Sequence, residues 1–343
     1  MSTKTAVGLP YTIAKVRAMR SRLYEGDRLG ELERARSIPE LAQRLGFGEV
    51  AVGHLQLEAL LVARHIADLL KVAPLLDGAR GELYDWLLVR YQMENLKVVL
   101  RFWAAGEPVG QLARHLVEVP GLPSLPVAEL AEVGDLADFI GLVPEPVFAR
   151  GLSRGLAYWQ AEGRTFFAET GLDAAYFQEL IRRHAALGRA DRQVTEQLVR
   201  VDLDTYNVLL VARAQLNYHL QLEDVAGFVV AGGRISPEAL VEARGQALSD
   251  ILSRLEALAL MHLGEEMPTT LPQLEDAMAL RLYRVANRRY YQSMLDLGAV
   301  VAFYYLKRNE LANLVRVVEG LRYQVGWSEI SGRLIPPSSG RAG

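Results

Sequence analysis

The sequence contains no cysteine. That excludes disulfides, a thiolate nucleophile and sulfur-ligated metal. Lysine is scarce: only Lys4, Lys15, Lys71, Lys97 and Lys307 occur, so nearly all positive charge is arginine. The formal net charge is −3, which gives no overall basic field to recruit nucleic acid. Long apolar runs are missing too. The longest, near Leu297 to Leu306, is about half the ~20 residues that a spanning helix needs, so no direct membrane span is expected. With no secretion signal at the N-terminus, a cytoplasmic location is expected. Histidines are few and scattered, at 54, 65, 115, 184, 219 and 262. No two lie three or four apart on a helix, so a histidine-based metal site has no local support.

Half the residues are hydrophobic and 23% are charged, which is the composition of a folded chain rather than a disordered one. Period-2 alternation is nearly absent, and 3.6-period apolar patterns run almost throughout. They predict helices over Tyr11–Tyr24, Val50–Lys71, Glu82–Trp103, Ala174–Leu187, Arg192–Leu222, Glu238–Leu263 and Leu271–Leu321. The fold class is all-α. Phe228 to Ile235, "FVVAGGRI", is the best candidate for a short extended piece, with a turn at Gly232 and Gly233. Ser37 before "IPEL" reads as an N-cap with Glu40 as its capping-box partner. "PGLPSLP", Pro120 to Pro126, reads as a linker.

The stretch "ENLKVVLR", Glu94 to Arg101, puts an asparagine on an apolar helical face. Asparagine is a mediocre helix former, because its amide competes for backbone hydrogen bonds. The pattern recurs. "YNVLLVAR" carries Asn207, and "ANLVRVVEG" carries Asn313, with apolar residues at the same offsets. Arg101 and Arg213 stand six places on, where the third copy has Glu319. Three places before each asparagine stands an amide or acid: Gln92, Asp204, Glu310. The asparagines are 112 and 106 residues apart, close to one third of the chain. A weaker echo pairs "SIPEL" from Ser37 with "DLADF" from Asp135. These spacings predict three divergent helical repeats, at 9–120, 121–228 and 229–330, between a flexible N-terminus (1–8) and a flexible tail (331–343). Each asparagine is expected to be structural, with the residue three places earlier as its natural partner, since a buried amide left unpaired costs about 1–3 kcal/mol. The alternative is that the three line one polar site.

Several motifs imitate catalytic sites. "GLSRG", Gly151 to Gly155, matches a nucleophile elbow at Ser153, but that elbow needs a preceding strand and an α/β sheet. "GEVAVGH", Gly48 to His54, has phosphate-loop glycine spacing, with His54 and Leu55 where Lys and Ser or Thr are required. Asp202 and Asp204 form a lone D-x-D, too poor for a magnesium-dependent helical enzyme. Nothing assembles an acid, a base and a nucleophile. No catalytic residue, metal or cofactor is expected.

"YTIAKVRAMRSRLY", "LVRYQMENLKVVLRFWAAGEP", "VDLDTYNVLLVAR" and "YYLKRNELANLVRVVEG" together resemble one family: the C subunit of the archaeal and bacterial A/V-type rotary ATPases, equivalent to the vacuolar d subunit. Lys307, Glu310 and Asn313 match its closing motif. Gln92 departs from the usual acid, and Lys15 replaces one Arg of the opening helix. "GGRI", Gly232 to Ile235, fits a recurrent turn. The resemblance covers Tyr11 to about Gly326. It implies three similar helical domains in a pseudo-threefold funnel, seated on the membrane proteolipid ring and receiving the foot of the central shaft. It implies a non-catalytic rotor adaptor, peripheral on the cytoplasmic side, that passes torque during proton or sodium transport. Arg17, Arg20 and Arg22 are candidate contacts to acidic partners. Two other readings are a soluble scaffold of the same fold detached from any ATPase, and a magnesium enzyme using Asp202 and Asp204.

Overall fold

The computed structural model describes residues 8–48, 53–112, 115–236, 238–239, 248–259 and 267–336. No β-strand occurs among them. The main helices are α1 (Leu9–Arg20), α2 (His54–Leu70), α3 (Gly78–Ala105), α4 (Pro146–Ser153), α5 (Phe166–Ala185), α6 (Arg189–Tyr218), α7 (Leu248–Ala259), α8 (Leu271–Gln292) and α9 (Leu297–Arg322). Shorter helices, Ile38–Arg44 among them, lie between and after these. The chain divides into two compact units. One comprises Met1–Gly81, Gln193–Leu198 and Asp276–Gly343; the other comprises Glu82–Arg192 and Val199–Glu275.

In the first unit α9 is the centre. Every residue from Leu297 to Lys307 is buried, as expected for a helix that is apolar all round. The apolar run at its start is therefore core. Helices α1, α2 and Ile38–Arg44 pack on α9, and Leu41, Leu57, Leu61, Leu314, Val317 and Ile330 share one cluster. Ser37 caps Ile38–Arg44 as expected, accepting from the Glu40 N–H at 3.3 Å. The Glu40 carboxylate reaches back one residue further than a capping box requires, to the Arg36 N–H at 2.9 Å.

One expected helix is two. The pattern over Leu271–Leu321 breaks between Gln292 and Leu297. Asp296 caps α9 by accepting from the Gly298 N–H at 2.8 Å, and Arg289 pairs with the same carboxylate at 3.0 Å. Arg17 donates to the carbonyls of Ser293 and Met294 at 3.1 and 3.2 Å. Arg17 thus fastens the turn between α8 and α9. Periodicity misses the break because apolar residues keep their spacing across it.

In the second unit, α4 lies against α5 at backbone contact. A Cβ added at Gly171 would sit 2.1 Å from the Gly151 carbonyl oxygen, and one at Gly155 would sit 2.5 Å from the Ala168 backbone. The glycines of "GLSRG" therefore serve helix packing. Ser153 is helical and donates to the Ala149 carbonyl at 2.9 Å. Helix α5 also begins two turns earlier than expected, because Thr170 and Gly171, both weak helix formers, are held there by α4. Farther along, the Trp86 indole N–H donates to the Tyr176 carbonyl at 3.0 Å, and Phe177 stacks on Tyr206 with centroids 4.8 Å apart.

The stretch Phe228 to Ile235 is not a strand but an irregular run of bends. Its backbone groups are taken by side chains of α6 rather than by a ladder. Ile335, placed in the expected tail, is 3% exposed and held by Asn309 and Asn313. Residues 1–7 and 337–343 of the expected flexible ends lie outside the described residues, as do 49–52 of the phosphate-loop look-alike.

Candidate functional site

The three asparagines sit on the three longest of the described helices: Asn95 on α3, Asn207 on α6 and Asn313 on α9. Each amide closes two reciprocal hydrogen bonds with a single residue downstream. The Asn95 Nδ2 donates to the Val117 carbonyl at 2.6 Å, and the Val117 N–H donates to Asn95 Oδ1 at 2.8 Å. Asn207 holds Val230 at 2.9 and 3.0 Å. Asn313 holds Ile335 at 2.8 and 2.9 Å. The sequence offsets are 22, 23 and 22 residues. A side-chain amide has the donor and acceptor that a peptide group lacks when it leaves regular structure. Each asparagine thus pins a non-helical return segment onto a long helix.

The residue three places earlier is not the amide's partner. It reaches a second point on the same return segment in two cases. Gln92 Nε2 donates to the Pro123 carbonyl, so the return segment is fastened at Val117 and again at Pro123 inside the proline-rich linker. Asp204 Oδ1 accepts from the N–H groups of Arg234 and Ile235 at 2.9 and 3.1 Å. That approach needs the Gly-Gly turn. Gly232 has φ +117, and a Cβ at Gly233 would lie 2.1 Å from Asp204 Oδ1. The third residue differs. Glu310 Oε1 accepts from the Tyr24 N–H at 2.8 Å, and its other oxygen takes Lys307 at 2.6 Å.

Six places after each asparagine the first two copies again agree. Arg101 grips Glu169 through both carboxylate oxygens, and Arg213 meets Glu275 at 2.8 Å. In the third copy Glu319 pairs with Arg322 at 3.2 Å.

Both of the described lysines that lie in the middle of long helices are buried and doubly paired. Lys307 holds Asp68 at 2.9 Å as well as Glu310. Lys97 holds Asp173 at 2.8 Å and Glu94 at 3.1 Å. Burial alone would lower the Lys97 ammonium, but Asp173 and Glu94 outweigh it and hold it above the ordinary value. These are charges kept because they are paired.

The remaining sequence candidates separate. Arg17 is spent on the turn between α8 and α9. Arg20 pairs with Glu25, donates to Asn287 Oδ1 at 3.0 Å and lies over Tyr290. Arg22 is exposed. Asp202 is buried and faces Arg90 at 3.8 Å, on a different side of α6 from Asp204, whose Oδ1 faces the turn. Among the described residues no three His, Asp or Glu side chains converge as metal ligands would, and no helix is long and apolar enough to cross a membrane.

His65, on α2, is a buried group the sequence left unassigned. Burial, then the charges of Lys307 and Arg308, pushes its imidazole down to about 3. The folded protein keeps it neutral, while the unfolded chain takes a proton near pH 6.5. Its contribution is therefore whole above pH 6.5 and is lost as the pH falls toward 3, at up to about 1.4 kcal/mol per pH unit. Denaturant titrations at stepped pH should show His65→Gln losing less stability than the parent below pH 6.5. Parallel curves would remove this role. Glu58, raised to about 7 by burial and by Glu319, acts oppositely as pH rises, but it is common to both proteins and cancels.

The model of the ATP synthase (C/AC39) subunit family matches residues 12–333. The chain belongs to that family. Among ATP synthase (C/AC39) subunits it is similar to the C subunit of the A-type ATP synthase of Haloferax volcanii, with 24% identity over 93% of this chain and 95% of the relative. The match runs through all three asparagine helices and reaches the segment near Leu334. The family expected from the sequence motifs is thus the family found. The motif residues Asn95, Asn207 and Asn313 share one geometry that their flanking positions do not fully share.

Proposed function

We propose that the chain is a non-catalytic adaptor in the central rotor of an A/V-type ATPase or synthase. It joins the central shaft to the membrane proteolipid ring and passes torque while protons or sodium ions cross. In this reading it is peripheral, on the cytoplasmic side, and contributes no catalytic residue or cofactor. The observation that carries the proposal is family membership across residues 12–333.

The architecture we propose for this role is three helical repeats, about 110 residues each as the motif spacing has it, arranged with pseudo-threefold symmetry into a funnel. The recurrent clamp supports it. Three long helices each fix a return segment 22 or 23 residues downstream by the same two hydrogen bonds. Fixed return segments suit torque transmission, because a loop tied to its helix moves with it. Buried ion pairs such as Lys97 with Asp173 resist sliding in the same way.

A tagged pull-down from gently solubilised membranes tests the proposal by mass spectrometry. Shaft, proteolipid and nucleotide-binding subunits should come down together with the chain. Recovery of the chain alone, under conditions that keep a rotary ATPase intact, would replace the adaptor with a detached scaffold.

A further inference from the structure

Helix α1, the turn after it, α2 and α9 enclose a half-open cleft of about 560 Å³. Its lining carries six cations, Lys15, Arg22, Arg28, Arg64, Lys71 and Lys307, against two carboxylates, Asp68 and Glu310. Both carboxylates are already used. Asp68 takes Lys71 at 2.7 Å and Lys307 at 2.9 Å, and Glu310 takes Lys307 and the Tyr24 N–H. Lys307 is therefore neutralised at the floor, and Lys71 is shared.

The other four cations have no carboxylate among the described residues. Arg64 donates to the Leu45 carbonyl at 2.6 Å and lies over Phe47. Arg28 makes a long contact to the Ser21 carbonyl, 3.4 Å, and lies over Tyr24. The side chains of Lys15 and Arg22 have no hydrogen-bond or ion-pair partner among the described residues. A folded protein ordinarily disperses like charge or pairs it. Here the excess is concentrated around one concavity whose wall also carries the half-buried Tyr24.

The spacing limits what fits. Lys15 and Arg22 are seven residues apart, which along a helix and its last turn is about 10 Å. With Arg28 and Arg64 the unpaired cations number four and span α1, the segment after it and α2, a spread that a chain bearing carboxylates at intervals can follow and one phosphate group cannot fill. Guanidinium forks donate bidentately to carboxylates. We propose that this cleft docks an acidic segment of a partner polypeptide, with Lys15 and Arg22 as the rim contacts. This rests on the reading of the chain as an adaptor between other subunits and assigns one partner contact to a defined place.

The test uses the full chain and a fluorescein-labelled oligo-glutamate peptide, read by anisotropy at low salt, where such contacts are least screened. The parent should bind, and the double reversal Lys15→Glu/Arg22→Glu should weaken binding by about tenfold or more. Lys15→Gln/Arg22→Gln, a milder change, should weaken it less, and Arg333→Glu, away from the cleft, should leave it unchanged. Equal binding by parent and double reversal overturns the proposal. So does tripolyphosphate binding that depends on Lys15 and Arg22 when the peptide does not bind, since that would make the cleft a small-phosphate site. If the parent co-purifies with a rotary ATPase and the cleft fails these tests, the inference falls and the adaptor reading stands. If it does not co-purify, the adaptor reading falls whatever the peptide does.

Discussion

Asn207→Leu is expected to destabilise the protein by on the order of 4 kcal/mol. The residue is fully buried, and its amide supplies the partners of both the N–H and the carbonyl of Val230. Leucine keeps the branching and the heavy-atom count of the side chain, though it is bulkier, while two partners vanish. Val230 is itself 3% exposed, so water cannot readily replace them. Each buried backbone group left unpaired costs about 1–3 kcal/mol, and two are left. The same change at the other copies ranks the effect. Asn313→Leu should cost less, because Asn309 Nδ2 also donates to the Ile335 carbonyl at 2.6 Å and only the Ile335 N–H is left unpaired. Asn95→Leu should cost less, because Val117 is only half-buried and its peptide can find solvent. Thermal and denaturant unfolding of the three variants measures this. A melting temperature unchanged by Asn207→Leu would show that the clamp does not hold the fold.

Gly171→Ala is the second large effect, and its sign is the point. In an ordinary helix interior the change to alanine gains about 1 kcal/mol. At Gly171 the new Cβ would lie 2.1 Å from a backbone oxygen of α4 and 3.0 Å from the adjoining carbon. Neither atom can rotate away, so α4 and α5 must part. We expect a loss on the order of 3 kcal/mol. Gly30→Ala is the matched control. Its φ is −59 and ψ −34, and a Cβ there meets nothing within 4 Å, so stability should hold or rise slightly. Urea unfolding of the pair decides it. Stabilisation by Gly171→Ala would mean that the two helices are not in backbone contact.

Much of this was legible in the sequence, and the limits have physical causes. Periodicity reports which face of a helix is buried, so the long helices and the inward asparagines could be read directly. It does not report what meets that face. The partners of Asn95, Asn207 and Asn313 lie on irregular segments with no period, which is why the neighbour three places earlier looked like the natural partner. The fixed offset of 22 or 23 residues was the missing signal, and a search at that distance would have found Val117, Val230 and Ile335. Local chemistry was legible where it is truly local: Ser37 and Asp135 cap helices as their spacing says. The break at Ser293 to Asp296 was not, because the apolar spacing runs on across it. The glycines of "GLSRG" carried a real constraint, but a motif cannot distinguish a nucleophile turn from a close helix crossing. The charge excess around Lys15 and Arg22 could not be read from a chain whose net charge is −3.

The most direct test of the adaptor itself is cross-linking mass spectrometry on the intact membrane complex. A chain that joins shaft to ring must form cross-links to central-shaft subunits from one set of its residues and to proteolipid subunits from another. Links to both partners from separate surfaces are the predicted result. Links confined to the nucleotide-binding head or the peripheral stalks, with none to shaft or ring, would contradict it.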